Sequence, residues 1–159
     1  MCEHLTNLDL SYNTSTTVLN FTLTMKFLKT LILLACTGIG LINMIKCLNH
    51  CKTRNVLNIF YCIQFNDEHV TPLVELFQDL PCLEVFNAEY TCQFSVANGR
   101  VLLERNKLKE FAVTPVWEPP TLWIDLIREY RHIKFGWCIS VHCGRVDLRS
   151  YVYSDEEED

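Results

Sequence analysis

A short apolar frame returns six times along this chain, and the recurrence limits its fold more than any other feature. The first copy is Leu5-x-x-Leu8-x-Leu10-x-x-Asn13. It returns as Leu28, Leu31, Leu33 and Cys36, then as Arg54, Leu57, Ile59 and Cys62, where Arg54 breaks the apolar pattern. The later copies are Leu83, Phe86, Ala88 and Thr91, then Leu108, Phe111, Val113 and Val116, then Tyr130, Ile133, Phe135 and Cys138. Their first residues lie 23, 26, 29, 25 and 22 apart. A unit this short cannot bury its own apolar face, so neighbouring units must stack.

The middle of each frame, x-Leu-x-Leu-x, reads as a short strand with one buried face. Successive strands would stack in parallel around a continuous core. At the bend that follows, backbone groups turn inward and lose water, and an Asn, Cys or Thr side chain can bond to them. Asn13, Cys36, Cys62, Thr91 and Cys138 fall at that place, whereas Val116 lacks the chemistry. Most spacings lie within the range of leucine-rich repeats. The expected fold is therefore α/β: a leucine-rich-repeat solenoid, a horseshoe of about six repeats over residues 1–153. Its parallel strands would line the concave face, with helices or irregular turns on the convex face.

The segments between frames carry helical signals. Val70, Leu73, Val74 and Phe77 form an i, i+3, i+4, i+7 stripe within Asp67–Asp79, with Asn66 or Asp67 placed to cap it. Leu41–Leu48 has roughly helical apolar spacing, and Trp123–Tyr130 reads as a helix after the Pro119-Pro120 break. Arg100–Arg105 is long enough for one turn. Arg145–Leu148 and Tyr151–Tyr153 alternate enough to form a closing edge strand.

Charge narrows the functional classes. The net charge is −5, and the last five residues, Asp155 to Asp159, are all acidic. The body is thus neutral and lacks the basic footprint of a nucleic-acid-binding protein. The stretch 154–159 reads as an acidic disordered tail, with Ser154 a candidate for acid-directed phosphorylation. Nine cysteines, an odd number, do not suggest a secreted disulfide framework, and Met1-Cys2-Glu3-His4 does not open like an export signal. A reducing compartment, cytoplasmic or nuclear, is expected. The competing reading is a small membrane-anchored protein with one transmembrane helix over 27–45, since Thr30 to Ile45 carries no charge.

The frames with Cys at the bend, Leu31-x-Leu33-x-x-Cys36 and Leu57-x-Ile59-x-x-Cys62, resemble the cysteine-containing leucine-rich repeats of F-box and related cullin-ligase substrate receptors. Asn58-Ile59-Phe60-Tyr61-Cys62, and later Leu80-Pro81-Cys82-Leu83-Glu84-Val85, are similar to them in cadence. The resemblance spans about residues 2 to 140. It implies a non-catalytic protein-binding module that recognises the substrate of a ubiquitin ligase. The chain shows no F-box, so cullin-ligase components would be reached through a missing N-terminal region. A repeat scaffold or regulatory protein without a ligase connection is the remaining alternative.

The partner site would lie on the concave face, where residues alternate with the core positions. Ile32, Leu34, Val56 and Phe60 would form an apolar patch there, beside Asn58. Glu89 and Glu110 would form a more acidic second half, with Asn87 and Lys134 also on the face. One place further along each frame stand Tyr12, Ala35, Tyr61, Tyr90, Pro115 and Trp137, four of them aromatic and suited to anchor a partner. No catalytic residue, cofactor or metal is expected. Cys47, His50 and Cys51, or Cys138, His142 and Cys143, do not form the paired C-x-x-C frames of a zinc module. Gly38-Ile39-Gly40 lacks the later glycine of a phosphate loop.

Overall fold

The computed structural model describes residues 4–14, 26–38, 53–62, 70–77, 80–116, 118–137, 139–141 and 144–146. Six short strands form one all-parallel sheet in strict chain order: β1 (Asn7–Asp9), β2 (Thr30–Ile32), β3 (Val56–Asn58), β4 (Val85–Phe94), β5 (Glu110–Pro115) and β6 (Lys134–Trp137). Among the described residues three helices lie in the connections: α1 (Val70–Phe77), α2 (Val96–Arg105) and α3 (Pro120–Glu129). The class is α/β, and each strand adds to the edge left by the one before.

The register explains the core. Leu8, Leu31, Leu57, Phe86, Phe111 and Phe135 are partners in one line across all six strands. A second line behind it holds Leu33, Ile59, Ala88 and Val113, all fully buried. The Phe86, Phe111 and Phe135 rings follow one another at 6.2 and 6.0 Å, and Phe77 of α1 closes on Phe86 at 4.5 Å. Arg54, where the frame calls for leucine, is fully buried too.

The helix stripe Val70, Leu73, Val74 and Phe77 is buried as its spacing requires, and Leu76 joins it. Asn66 and Asp67 lie outside the described residues, as do Leu41–Leu48. The helix expected over Arg100–Arg105 is longer, because Ser95 caps it and accepts the Asn98 N–H at 3.1 Å. The helix expected from Trp123 begins at Pro120, whose fixed φ suits the first helical position. Gly99 brings α2 and α3 together. A Cβ there would lie 3.1 Å from the Trp123 indole, which is buried.

Two expectations are corrected. The sixth frame is set two residues too early. Phe111 pairs with Phe135 and Val113 with Trp137, so Phe135, not Ile133, continues the core line. Ile133 is still buried, from the turn before the strand. Beyond β6 no further parallel strand follows among the described residues. Ile139–Val141 (β7) and Gly144–Val146 (β8) pair antiparallel in a second, two-stranded sheet. Of the closing edge strand expected over Arg145–Leu148 and Tyr151–Tyr153, all beyond Val146 lies outside the described residues. The membrane-spanning helix over 27–45 is also overturned where it is described. Thr30–Ile32 is a strand, and Leu28, Leu31, Leu33 and Cys36 are buried in the core. No helix among the described residues is long and apolar enough to cross a membrane.

Candidate functional site

The bends come first, because they fix what the open face displays. Cys36 Sγ donates to the Leu10 carbonyl at 3.0 Å, and Cys62 Sγ donates to the Leu33 carbonyl at 2.9 Å. The Thr91 hydroxyl donates to the Ile59 carbonyl in the same way. Each bend side chain thus satisfies a carbonyl of the preceding strand segment. Asn13, in the first copy, donates from Nδ2 to its own Leu10 carbonyl at 2.8 Å. Cys62 also donates its backbone N–H to Thr91 Oγ1 at 3.2 Å. Burial raises both thiol pKa values, that of Cys62 to about 12. These thiols are hydrogen-bond donors rather than nucleophiles. Cys138, the last expected bend residue, lies outside the described residues.

One step before each of the first four bends the chain turns left-handed. Tyr12, Ala35, Tyr61 and Tyr90 have φ of 64°, 54°, 57° and 57°. Side-chain residues adopt that region at a cost of roughly 1–2 kcal/mol each. A second ladder offsets it: the N–H of Tyr12, Ala35 and Tyr61 donates to the Leu34, Phe60 and Glu89 carbonyls at 2.7 to 2.9 Å. At Tyr90 the series changes partner and the N–H reaches Thr114 Oγ1 at 2.7 Å. The next place is Pro115, whose ring locks φ negative.

The turn also has a side-chain brace that the alternation pattern did not reveal. Asn58 Oδ1 accepts the Phe60 N–H at 2.9 Å, and Asn87 Oδ1 accepts the Glu89 N–H at 3.0 Å. Asp9 Oδ1 accepts both the N–H and the hydroxyl of Ser11. These hydrogen bonds hold the Asp9 carboxyl below its usual range. Asn58 and Asn87 are therefore part of the scaffold as well as candidates for contact. The sequence signal was available: an Asx residue two places before a chain reversal braces its own backbone.

The structure brings several of the candidate partner residues together. Phe60, Tyr61 and Tyr90 form one aromatic group, with centroids 5.3 Å apart for Phe60–Tyr90 and 6.4 Å for the other two pairs. Tyr61 is 48% exposed and Tyr12 73%. Ile32, Leu34, Val56 and Val85 are half-buried on the same face, so the aromatic group continues an apolar surface over β2 to β4. Tyr12 stands apart, in the first copy.

The second half differs from its expected acidic character. Glu110 accepts from Lys134 Nζ at 3.2 Å, and Glu84 from Lys109 Nζ at 2.9 Å, each across one strand spacing. Glu89 lies over small residues, its Oε1 3.9 Å from where a Cβ would stand on Gly136. Trp137 leaves the rim series: in the strand register it is the partner of Val113, two places earlier than the rim position at Pro115. Its rim place rested on the sixth frame, which is shifted by two. His132 is exposed in the turn before β6, and Lys134 stands on the face as the partner of Glu110, while Gly136 takes the place beside Ala112 that the sixth frame gave to Lys134.

No group of three or more metal-ligating side chains occurs among the described residues. A Cβ on Gly38 would run into the Thr14 carbonyl, so this glycine serves close backbone packing. Comparison with known proteins gives no match: no family model, no curated protein and no solved structure matches this chain.

Proposed function

We propose that this chain is a leucine-rich-repeat solenoid that binds a protein partner, without catalysis, on the open face of its sheet. The observation that carries the reading is the aromatic group of exposed Tyr61 with half-exposed Phe60 and Tyr90, beside half-exposed Ile32, Leu34, Val56 and Val85. Apolar surface of this kind, centred on tyrosines that a strained backbone holds in place, suits an interface anchor. Sequential parallel strands, a left-handed step in each of the first four frames and the bend ladder support the repeat class.

The specific role is substrate recognition for a cullin-type ubiquitin ligase, as the cysteine-bearing frames suggest. Affinity purification of the tagged chain with mass spectrometry tests it, beside a Tyr61→Ala/Tyr90→Ala variant. The expected result is one dominant partner, accompanied by cullin-ligase subunits, that the variant loses. A dominant partner without those subunits removes the ligase role and leaves the binding module. A partner list unchanged by the variant overturns the site.

A further inference from the structure

One transverse row of the open face has a polarity of its own. Asp9, Ile32, Asn58, Asn87, Ala112 and Gly136 are register partners, one from each strand. At one end stands a carboxylate: Asp9 is exposed, and its Oδ1 alone is engaged, by Ser11. An apolar side chain follows. Then come two amides side by side, each with Oδ1 bound to its own turn. Their Nδ2 groups are thereby left as adjacent donors, with no protein acceptor among the described residues. At the far end a methyl and a bare Cα leave a shallow place bordered by the Glu89 carboxylate, whose Oε1 lies 3.9 Å from where a Gly136 Cβ would stand. A Cβ on Gly136 would come within 2.9 Å of the Ala112 Cβ.

We propose that this row is the track of an extended peptide segment crossing the strands, with a basic group on Asp9 and a bulky side chain over Ala112 and Gly136. The inference rests on the open-face reading above and deepens it by naming the form of the partner. The paired amide donors decide between an extended segment and a helix. A helix uses its carbonyls internally, whereas an extended backbone presents them. Peptide carbonyls would replace the water on the two Nδ2 groups. Strands lie ~4.8 Å apart, so the row is roughly 24 Å long, the reach of about seven extended residues. The basic group and the bulky residue would therefore stand about six positions apart, with the carbonyls that meet Asn58 and Asn87 between them. The Phe60, Tyr61 and Tyr90 group flanks the track near its middle and would take an apolar side chain.

A random-peptide display library panned against the full chain tests this. The selected peptides are then titrated into the wild type and three variants: Asp9→Asn, Asn58→Asp/Asn87→Asp and Tyr61→Ala/Tyr90→Ala. Asp9 braces its turn with a carboxylate, so Asn→Asp keeps the brace and replaces the donor by a charged acceptor. Single Asn87→Asp serves if the double variant fails to fold. Selected peptides should carry Lys or Arg at one end of the spacing and a large residue at the other. Asn58→Asp/Asn87→Asp should weaken binding about tenfold or more with the melting temperature retained. Asp9→Asn should erase the preference for the basic residue. Peptides that bind as helices, that ignore the Asn→Asp changes, or that are never selected overturn the inference. A folded partner lost by Tyr61→Ala/Tyr90→Ala, without any selected peptide, overturns it while the open-face reading stands. Peptides and partners indifferent to every variant overturn both.

Discussion

At the scale of single residues, the cysteines show how one side chain can serve packing and hydrogen bonding together. Cys36 and Cys62 fill core positions and add a thiol donor to the Leu10 and Leu33 carbonyls, which also accept from Asn13 and from the Cys36 N–H. Because burial raises the Cys62 pKa, the fold favours the neutral thiol. That stability is complete below the ordinary value of 9.0 and is lost as pH rises toward about 12. Alkaline unfolding should therefore set in above pH ~9, and Cys62→Ala should flatten this dependence while lowering stability at neutral pH. Exposed Cys82 should react with iodoacetamide well before buried Cys36, Cys62 and Cys92, as mass spectrometry of a time course would read. Ala35 offers a prediction of opposite sign. Its φ is 54°, so Ala35→Gly should relieve strain and stabilise the protein by roughly 1 kcal/mol in a denaturant titration. An unchanged or lowered midpoint would show that the chain entropy of glycine outweighs the strain.

Helices and strands meet at contacts that tolerate little extra volume. Gly99 lets α2 approach α3 until Trp123 lies against its backbone. Gly99→Val should cost roughly 1–3 kcal/mol by overpacking a buried indole. Trp123→Ala should cost about 3–5 kcal/mol through the cavity it leaves. If the two changes act on one contact, their double variant will cost less than the sum of the singles. The exposed ion pairs matter far less. Arg100 holds Glu129 with bonds of 2.8 and 2.6 Å, yet both groups face water, so Arg100→Gln should leave the melting temperature nearly unchanged.

Over the whole molecule the core is unequal from end to end. Leu31, Leu33, Leu57 and Ile59 are fully buried, while Leu8 and Leu10 in the same two lines are only partly covered. In a stack where each unit leans on its neighbours, an end unit with one neighbour opens first. Hydrogen exchange should reach the amides of Leu8 and Leu10 well before those of Leu33 and Ile59. Equal protection along the stack would mean that the chain opens as one cooperative block.

What the sequence determined by itself was the repeating part. An apolar residue at every second place, with Asn, Cys or Thr three places later, located five of the six strands in register. Alternation and burial are local properties, so the Leu8 to Phe111 core line was legible. So was the stripe of α1. The sixth frame was misplaced because Tyr130, Ile133 and Phe135 also satisfy an apolar frame; only strand pairing chooses between two settings that differ by two residues. Asn58 and Asn87 looked like exposed polar residues until the chain reversal showed their Oδ1 groups bracing it. The grouping of Phe60, Tyr61 and Tyr90 was likewise decided by the tertiary structure. Each ring's place in its own frame was readable, but their contact depends on neighbouring repeats stacking one strand spacing apart, which aligns residues 29 apart in the chain.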